Sequence, residues 1–188
     1  MGALLMEQRK KIHPYKFNLW VAMGSMVMMF AGLTSAYVVK RNQPNWQVFE
    51  LPHLFWYSTA VILISSVTMH LALRAFKKTQ KSKYRTLISV TFLLGVLFVV
   101  CQFIGFYQLQ QKGVTMQKNV SYSFLYVIAG LHVIHLIGGV IALLVLFIKA
   151  FSKKVKTYDP VPVEVMATYW HFVDFLWIYL LLFLMAIR

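Results

Sequence analysis

The sequence predicts an all-α integral membrane protein, a bundle of five transmembrane helices, and three observations carry that prediction. Of the 188 residues, 60% are hydrophobic and only 13% are charged, whereas soluble domains carry about 25% charged residues. Mean hydropathy is +0.66. Five apolar runs, at about 17–39, 54–73, 87–109, 122–148 and 165–187, each reach the roughly 20 residues that a helix needs to cross a bilayer. The loops between them are too short to hold a soluble domain. The chain is therefore read as a basic arm, 1–16, and one transmembrane domain, 17–188.

The arm does not read as a signal peptide. Its apolar patch Ala3-Leu4-Leu5-Met6 is too short for a signal core, and Arg9-Lys10-Lys11 and Pro14 follow it. The first run contains Gly24, Ser25, Ala31, Gly32, Ser35 and Ala36, small residues that permit close helix approach. The second follows Pro52, with Phe55-Trp56-Tyr57 as an interfacial aromatic belt and Ser58 or Thr59 near the helix start. The third holds the lone cysteine, Cys101, which has no partner for an intramolecular disulfide and reads as a small apolar filler. The fourth sets Gly130, Gly138 and Gly139 around His132 and His135, and the glycines read as packing positions. Glu164 precedes the fifth run, where a carboxylate favours the positive end of a helix.

The formal charge of +14 is distributed by loop. Of the 19 lysines and arginines, 14 fall on one side of the bundle: Arg9, Lys10, Lys11 and Lys16; Arg74, Lys77, Lys78, Lys81, Lys83 and Arg85; Lys149, Lys153, Lys154 and Lys156. Lys40, Arg41, Lys112, Lys118 and Arg188 fall on the other. Basic loops stay cytoplasmic, so the N-terminus is expected inside and the C-terminus outside. This charge suits anionic lipid headgroups, and nucleic acid is not an expected partner.

Ionisable residues inside the apolar runs are the candidates for function, because an Asp at mid-membrane costs roughly 2.5–3.5 kcal/mol on insertion scales. The last run contains Tyr169-Trp170-His171-Phe172-Val173-Asp174, with His171 and Asp174 on one helical face. Glu164, seven residues before His171, shares that face. At 1.5 Å per residue, His132 lies about 15 Å from the outer edge, level with Asp174, and His135 lies level with His171. Sequential antiparallel helices are usually neighbours, so a polar seam is expected between the fourth and fifth helices, with Asp174 accepting a hydrogen bond from His132. A structural cluster, a proton relay and haem ligation all remain open for such a seam. His13 and His53 fall in loops, and His70, near the inner end of the second run, suits a headgroup contact.

These residues also carry a family resemblance. Glu164-Val165-Met166-Ala167-Thr168-Tyr169-Trp170-His171-Phe172-Val173-Asp174 resembles the last-helix signature of subunit III of the haem–copper cytochrome c oxidases. Gly130-Leu131-His132-Val133-Ile134-His135-Leu136-Ile137-Gly138-Gly139 is similar to that family's preceding histidine-pair helix, and Phe30-Ala31-Gly32-Leu33-Thr34-Ser35-Ala36-Tyr37 to its first shared helix. The matches occur in order and cover nearly all of the chain after Lys16.

The resemblance implies a non-catalytic subunit with no catalytic, cofactor-binding or metal-binding residues of its own. Haem and copper would reside in partner subunits. It further implies packing against oxidase subunit I and other oxidase subunits, phospholipid held in a groove near Glu164 and His171, and support of proton uptake while electrons pass to dioxygen. Many members have seven helices. The five here resemble bacterial versions and imply a bacterial cytoplasmic (inner) membrane. The family commonly has a buried glutamate after the serine of its first shared helix, whereas here Ser25 is followed by Met26. The resemblance therefore implies no proton-handling carboxylate at that position. Subunit III of a quinol oxidase is the neighbouring alternative, and an independent b-type membrane cytochrome or a transporter is the contrasting class.

Overall fold

A computed structural model describes residues 13–42, 46–47, 52–152 and 159–187. These form α1 (Pro14–Lys40), α2 (Leu54–Lys77), α3 (Lys81–Gln111), α4 (Val120–Phe151) and α5 (Val161–Ala186), and each is long and apolar enough to cross a membrane. Most of the predicted arm, including Arg9, Lys10 and Lys11, lies outside the described residues, as do Lys153, Lys154 and Lys156.

The helices outrun the apolar segments that predicted them. α1 starts at Pro14 rather than near 17, because proline suits the first helical turn and lacks only an N–H that would have no helical partner there. Lys16, expected in the arm, therefore lies inside α1. α3 begins at Lys81 rather than near 87, since Lys and Arg are good helix formers and nothing before the apolar run breaks the turn. The stops are local. After α3, Gly113 takes φ +80, with Gly113 N–H donating to the Gln110 carbonyl and Val114 N–H to the Leu109 carbonyl. This is the glycine-capped ending in which a left-handed residue lets the last carbonyls find donors. α2 ends the same way on Thr79, with φ 56, Thr79 N–H donating to Phe76 and Gln80 N–H to Ala75. A β-branched residue is strained in that conformation.

The helices alternate in direction. At one end the start of α1, the end of α2 and the start of α5 meet through Lys16, Lys77 and Glu164, while Arg85 of α3 donates to the Ala150 carbonyl of α4 at 2.7 Å. This is the end that carries the predicted majority of the basic residues. α5 is the centre, packing on α1, α2 and α4, and α3 closes the far side between α2 and α4. Among the described residues α1 packs on α4 and α5 but not on α2.

Trp170 locks this arrangement. It is fully buried, and its indole N–H donates to Ser65 Oγ of α2 at 3.1 Å. The ring fills space left by two missing side chains. A Cβ on Gly95 of α3 would stand 2.8 Å from Trp170 Cη2, and one on Gly139 of α4 would stand 3.2 Å from Cζ3. One side chain of α5 thus engages α2, α3 and α4 together. Phe55 does likewise against Gly105, where an added Cβ would lie 2.7 Å from the ring.

Other small residues do not behave as expected. A Cβ on Gly24, Gly32, Gly130 or Gly138 would meet nothing within 4 Å, and Ser25, Ala31 and Ser35 are exposed. The small-residue stripe of α1 therefore faces away from the bundle, because α1 turns Phe30, Thr34 and Tyr37 inward instead. Of the glycines around the histidine pair, Gly139 has the predicted packing role within this chain.

Candidate functional site

The polar side chains of α5 are distributed by azimuth, and most of them meet α2. Glu164 stands in the first turn and receives Lys16 Nζ at 2.6 Å and Lys77 Nζ at 2.7 Å, which ties α1 and α2 across it. Seven residues on, His171 Nδ1 lies 2.6 Å from Ser66 Oγ of α2, and its ring centroid is 6.2 Å from that of His70. Trp170 reaches Ser65, and farther along Trp177 Nε1 donates to Thr59 Oγ1 at 3.0 Å. The contacts recur because Thr59, Ser66, His70 and Lys77 fall on one face of α2 at helical spacing.

The predicted seam between α4 and α5 does not form as a cluster. Asp174 accepts no hydrogen bond from His132. Neither ring nitrogen of His132 and neither carboxyl oxygen of Asp174 has a protein hydrogen-bond partner, although both residues are buried. His132 lies flat on Trp177, with centroids 5.3 Å apart and planes at 29°. Asp174 is turned toward Ser66, without the geometry of a hydrogen bond. His135 touches α5 through Tyr169 but does not meet His171. Its Nδ1 pairs with the Leu131 carbonyl at 2.7 Å, its ring edge faces Phe30, and its own carbonyl accepts Tyr169 Oη–H at 2.8 Å. The expected pairing fails because the side chains point in other directions.

His70, expected near a headgroup, is exposed beside His171. His13 and His53 stand at the N-cap positions of α1 and α2 without side-chain caps. Ser58 does not cap α2. It is buried and accepts from Gln102 Nε2 at 3.2 Å, a polar link between α2 and α3 that the sequence reading missed. Ser66 was missed as well, although its four-residue spacing from His70 was visible.

A groove follows from these contacts. Glu164, Thr168, His171, Phe175, Tyr179 and Leu182 form one stripe of α5, and Phe175 is 71% exposed along it. Lys16 and Lys77 hold one end of the stripe from both sides, and Tyr179 Oη lies 3.1 Å from Thr34 Oγ1 of α1 farther along. The stripe is thus the floor of an open cleft walled by α1 and α2. Its closed end is cationic, its middle carries two imidazoles and a hydroxyl, and the remainder is apolar. Among the described residues no three His, Cys, Asp or Glu side chains converge on one point.

The family model described as Cytochrome c oxidase subunit III matches residues 14–187, which takes in all five helices and the cleft. The chain belongs to this family. A probable cytochrome c oxidase subunit 3 of Nocardia farcinica is 34% identical, the match covering 85% of this chain and 80% of the relative. Cytochrome bo(3) ubiquinol oxidase subunit 3 of Pseudomonas aeruginosa is 27% identical, covering 86% and 79%. Cytochrome c oxidase subunit 3 of Corynebacterium diphtheriae is 28% identical, covering 84% and 80%. The protein is a subunit III of a haem–copper oxidase, a multi-pass membrane protein that works in a complex with other oxidase subunits.

The ion triad at the cleft end makes a modest and testable contribution. Both lysines are substantially exposed, and pairs of this kind contribute about 0–1 kcal/mol. Glu164→Gln should therefore lower stability by less than about 1 kcal/mol. The difference from the parent protein should fade as salt shortens the Debye length to about 3 Å near 1 M. Unfolding in mixed detergent at low and high salt measures both. A loss of several kcal/mol that salt leaves unchanged would mean that Glu164 acts as a core residue.

Proposed function

We propose that this chain is the five-helix, bacterial-membrane form of subunit III, seated directly against the catalytic subunit I, with a phospholipid in the cleft over α5. In this reading Glu164 and His171 are lipid-groove residues, and the chain carries no catalytic or metal-binding group. The N-terminus is cytoplasmic and the C-terminus outside, following the basic bias of the loops. Phospholipid and the basic end together support assembly and sustained proton uptake in aerobic respiration, while haem and copper in other subunits carry electrons to dioxygen.

The observation that carries the reading is the open cleft itself. An apolar trough with Lys16 and Lys77 at one end and imidazoles along it matches a lipid with an anionic headgroup and hydrocarbon chains. The outward stripe of Gly24, Ser25, Ala31, Gly32 and Ser35 supports a helix-packing partner, since small residues let another membrane helix approach closely. His132, His135 and Asp174 are read here as a buried polar part of the packing rather than a ligand set, because His132 stacks on Trp177 and His135 pairs with the Leu131 carbonyl, while His171 turns to Ser66 at the cleft. Cytochrome c is taken as the electron donor on the names of the Nocardia and Corynebacterium relatives. The Pseudomonas relative's name makes quinol the alternative.

Extraction of native membranes in mild detergent tests this directly. The chain is expected to co-purify with a haem-containing subunit, and a crosslinker placed at Ser25 or Ser35 should join the two. Recovery of the chain alone, with no haem-containing crosslinked partner, overturns the reading. A haem spectrum carried by the isolated chain would favour a b-type cytochrome.

A further inference from the structure

At the basic end of the bundle, on the α3–α4 side and remote from the cleft, there is a second hollow of about 630 Å³. Lys81, Ser82, Arg85 and Thr86 line one part of it, and Val90 and Phe151 line another. We propose that this hollow holds the headgroup phosphate of one anionic phospholipid, with an acyl chain laid along Val90, Leu93 and Leu97 of α3.

The arrangement of Arg85 is the first argument. Its Nε–H donates to the Ala150 carbonyl at 2.7 Å, and its guanidinium carbon stands 5.6 Å from the centroid of the Phe151 ring. Two tethers fix the plane of the fork, and the Nη donors remain to meet an oxyanion in the paired geometry that guanidinium groups favour. Lys81 adds a second positive charge to the same hollow. No described acidic residue lines it. Asp159 accepts from Val161 N–H at the start of α5, Glu164 is held by Lys16 and Lys77, and Asp174 is buried.

The second argument is the apolar continuation. Val90, Leu93 and Leu97 are all exposed and follow one another along α3 at helical spacing, away from the basic end. Ile148 and Phe151 are exposed on the antiparallel α4 beside the hollow. A free phosphate would use only the cationic part, whereas a phospholipid matches both parts at the depth where headgroup gives way to hydrocarbon. Charge chooses among lipids. A zwitterionic headgroup brings its own ammonium toward Lys81 and Arg85, and an anionic one does not.

The test uses the full chain, purified in mild detergent and titrated with phosphatidylglycerol or phosphatidylcholine under native mass spectrometry. One phosphatidylglycerol should bind about tenfold more weakly to K81Q/R85Q than to the parent, while phosphatidylcholine binding changes little. R85K should fall between them. K16Q/K77Q, which alters the other site, should leave this lipid in place. Because Arg85 also holds the end of α4, K81Q and S82A are measured separately, and each should weaken the same binding step. A photoactivatable phosphatidylglycerol should label peptides spanning residues 81–97. Equal binding by the parent and by all four variants that alter this hollow (K81Q/R85Q, R85K, K81Q and S82A), or labelling confined to α5, overturns the proposal. Displacement of the lipid by millimolar inorganic phosphate as effectively as by phosphatidylglycerol overturns the lipid assignment.

Discussion

Trp170→Ala is expected to lower the stability of the bundle by about 3–5 kcal/mol, the range for removing a fully buried tryptophan. In a membrane the loss has a different origin from that in a soluble core. Lipid tails are as apolar as the bundle interior, so helix association rests on close packing and interhelical hydrogen bonds rather than on exclusion of water. Trp170 supplies both, since its ring fills the spaces over Gly95 and Gly139 and its N–H satisfies Ser65. Alanine leaves a cavity where α2, α3 and α4 meet around α5, and the surrounding helices can close it only partly. The reciprocal change tests the same contact from the other side. Gly95→Ala places a methyl 2.8 Å from Cη2 of a ring held at both ends, and overpacking of this kind costs about 1–3 kcal/mol. Unfolding in mixed detergent, followed by circular dichroism, gives both values. A Trp170→Ala protein within 1 kcal/mol of the parent would show that the four helices are held elsewhere.

That contact was not legible in the sequence, although the five helices were, and the cleft was anticipated only through the family resemblance at Glu164 and His171, not through its walls. A span is dictated by the bilayer, which sets a length and a composition that any reader can count, and all five runs reappear in helices α1 to α5, the fifth ending one residue short of its predicted limit. Rotation about the helix axis was not legible. His171 and Asp174 were expected to face α4 because α4 precedes α5, but α5 is central and has three neighbours. Its polar face turns to Ser66 of α2, a partner 105 residues away in sequence. The small residues show the same limit. Gly95, Gly105 and Gly139 admit aromatic rings, while Gly24 and Gly32 of the more conspicuous stripe meet nothing inside the chain. Composition identifies a residue that allows close approach, and only the packing of the whole bundle decides what approaches. Lys16 and Lys77 were counted as charges for orientation, and their joint hold on Glu164 depends on three helix ends meeting at one place.

Depleting this subunit from its oxidase is expected to leave haem and copper content unchanged and early oxygen consumption partly intact, with activity then declining over successive turnovers. The expectation rests on where the chemistry is absent and where the charge is present. His132 stacks on the face of Trp177 and the half-buried His171 pairs with Ser66, and with haem and copper proposed in the partner subunits electron transfer is assigned there. The basic end gathers Lys16, Lys77, Lys81 and Arg85 around two sites suited to anionic lipid, and in the proposed orientation this end faces the cytoplasm, the side from which a proton-pumping oxidase takes up protons. A subunit that only packs and holds lipid cannot set the rate of the first reduction, but it can determine how long the complex keeps its proton supply and its fold. Oxygen uptake recorded over many turnovers, beside metal analysis of the depleted complex, separates these effects. Restoring the chain should extend the activity, and restoring a K16Q/K77Q chain should extend it less if lipid in the cleft is part of the support. Stoichiometric loss of haem or copper on depletion, with recovery of that metal on the purified chain, would instead place a redox centre here and overturn the assignment. Full and lasting activity without the chain would remove its supporting role.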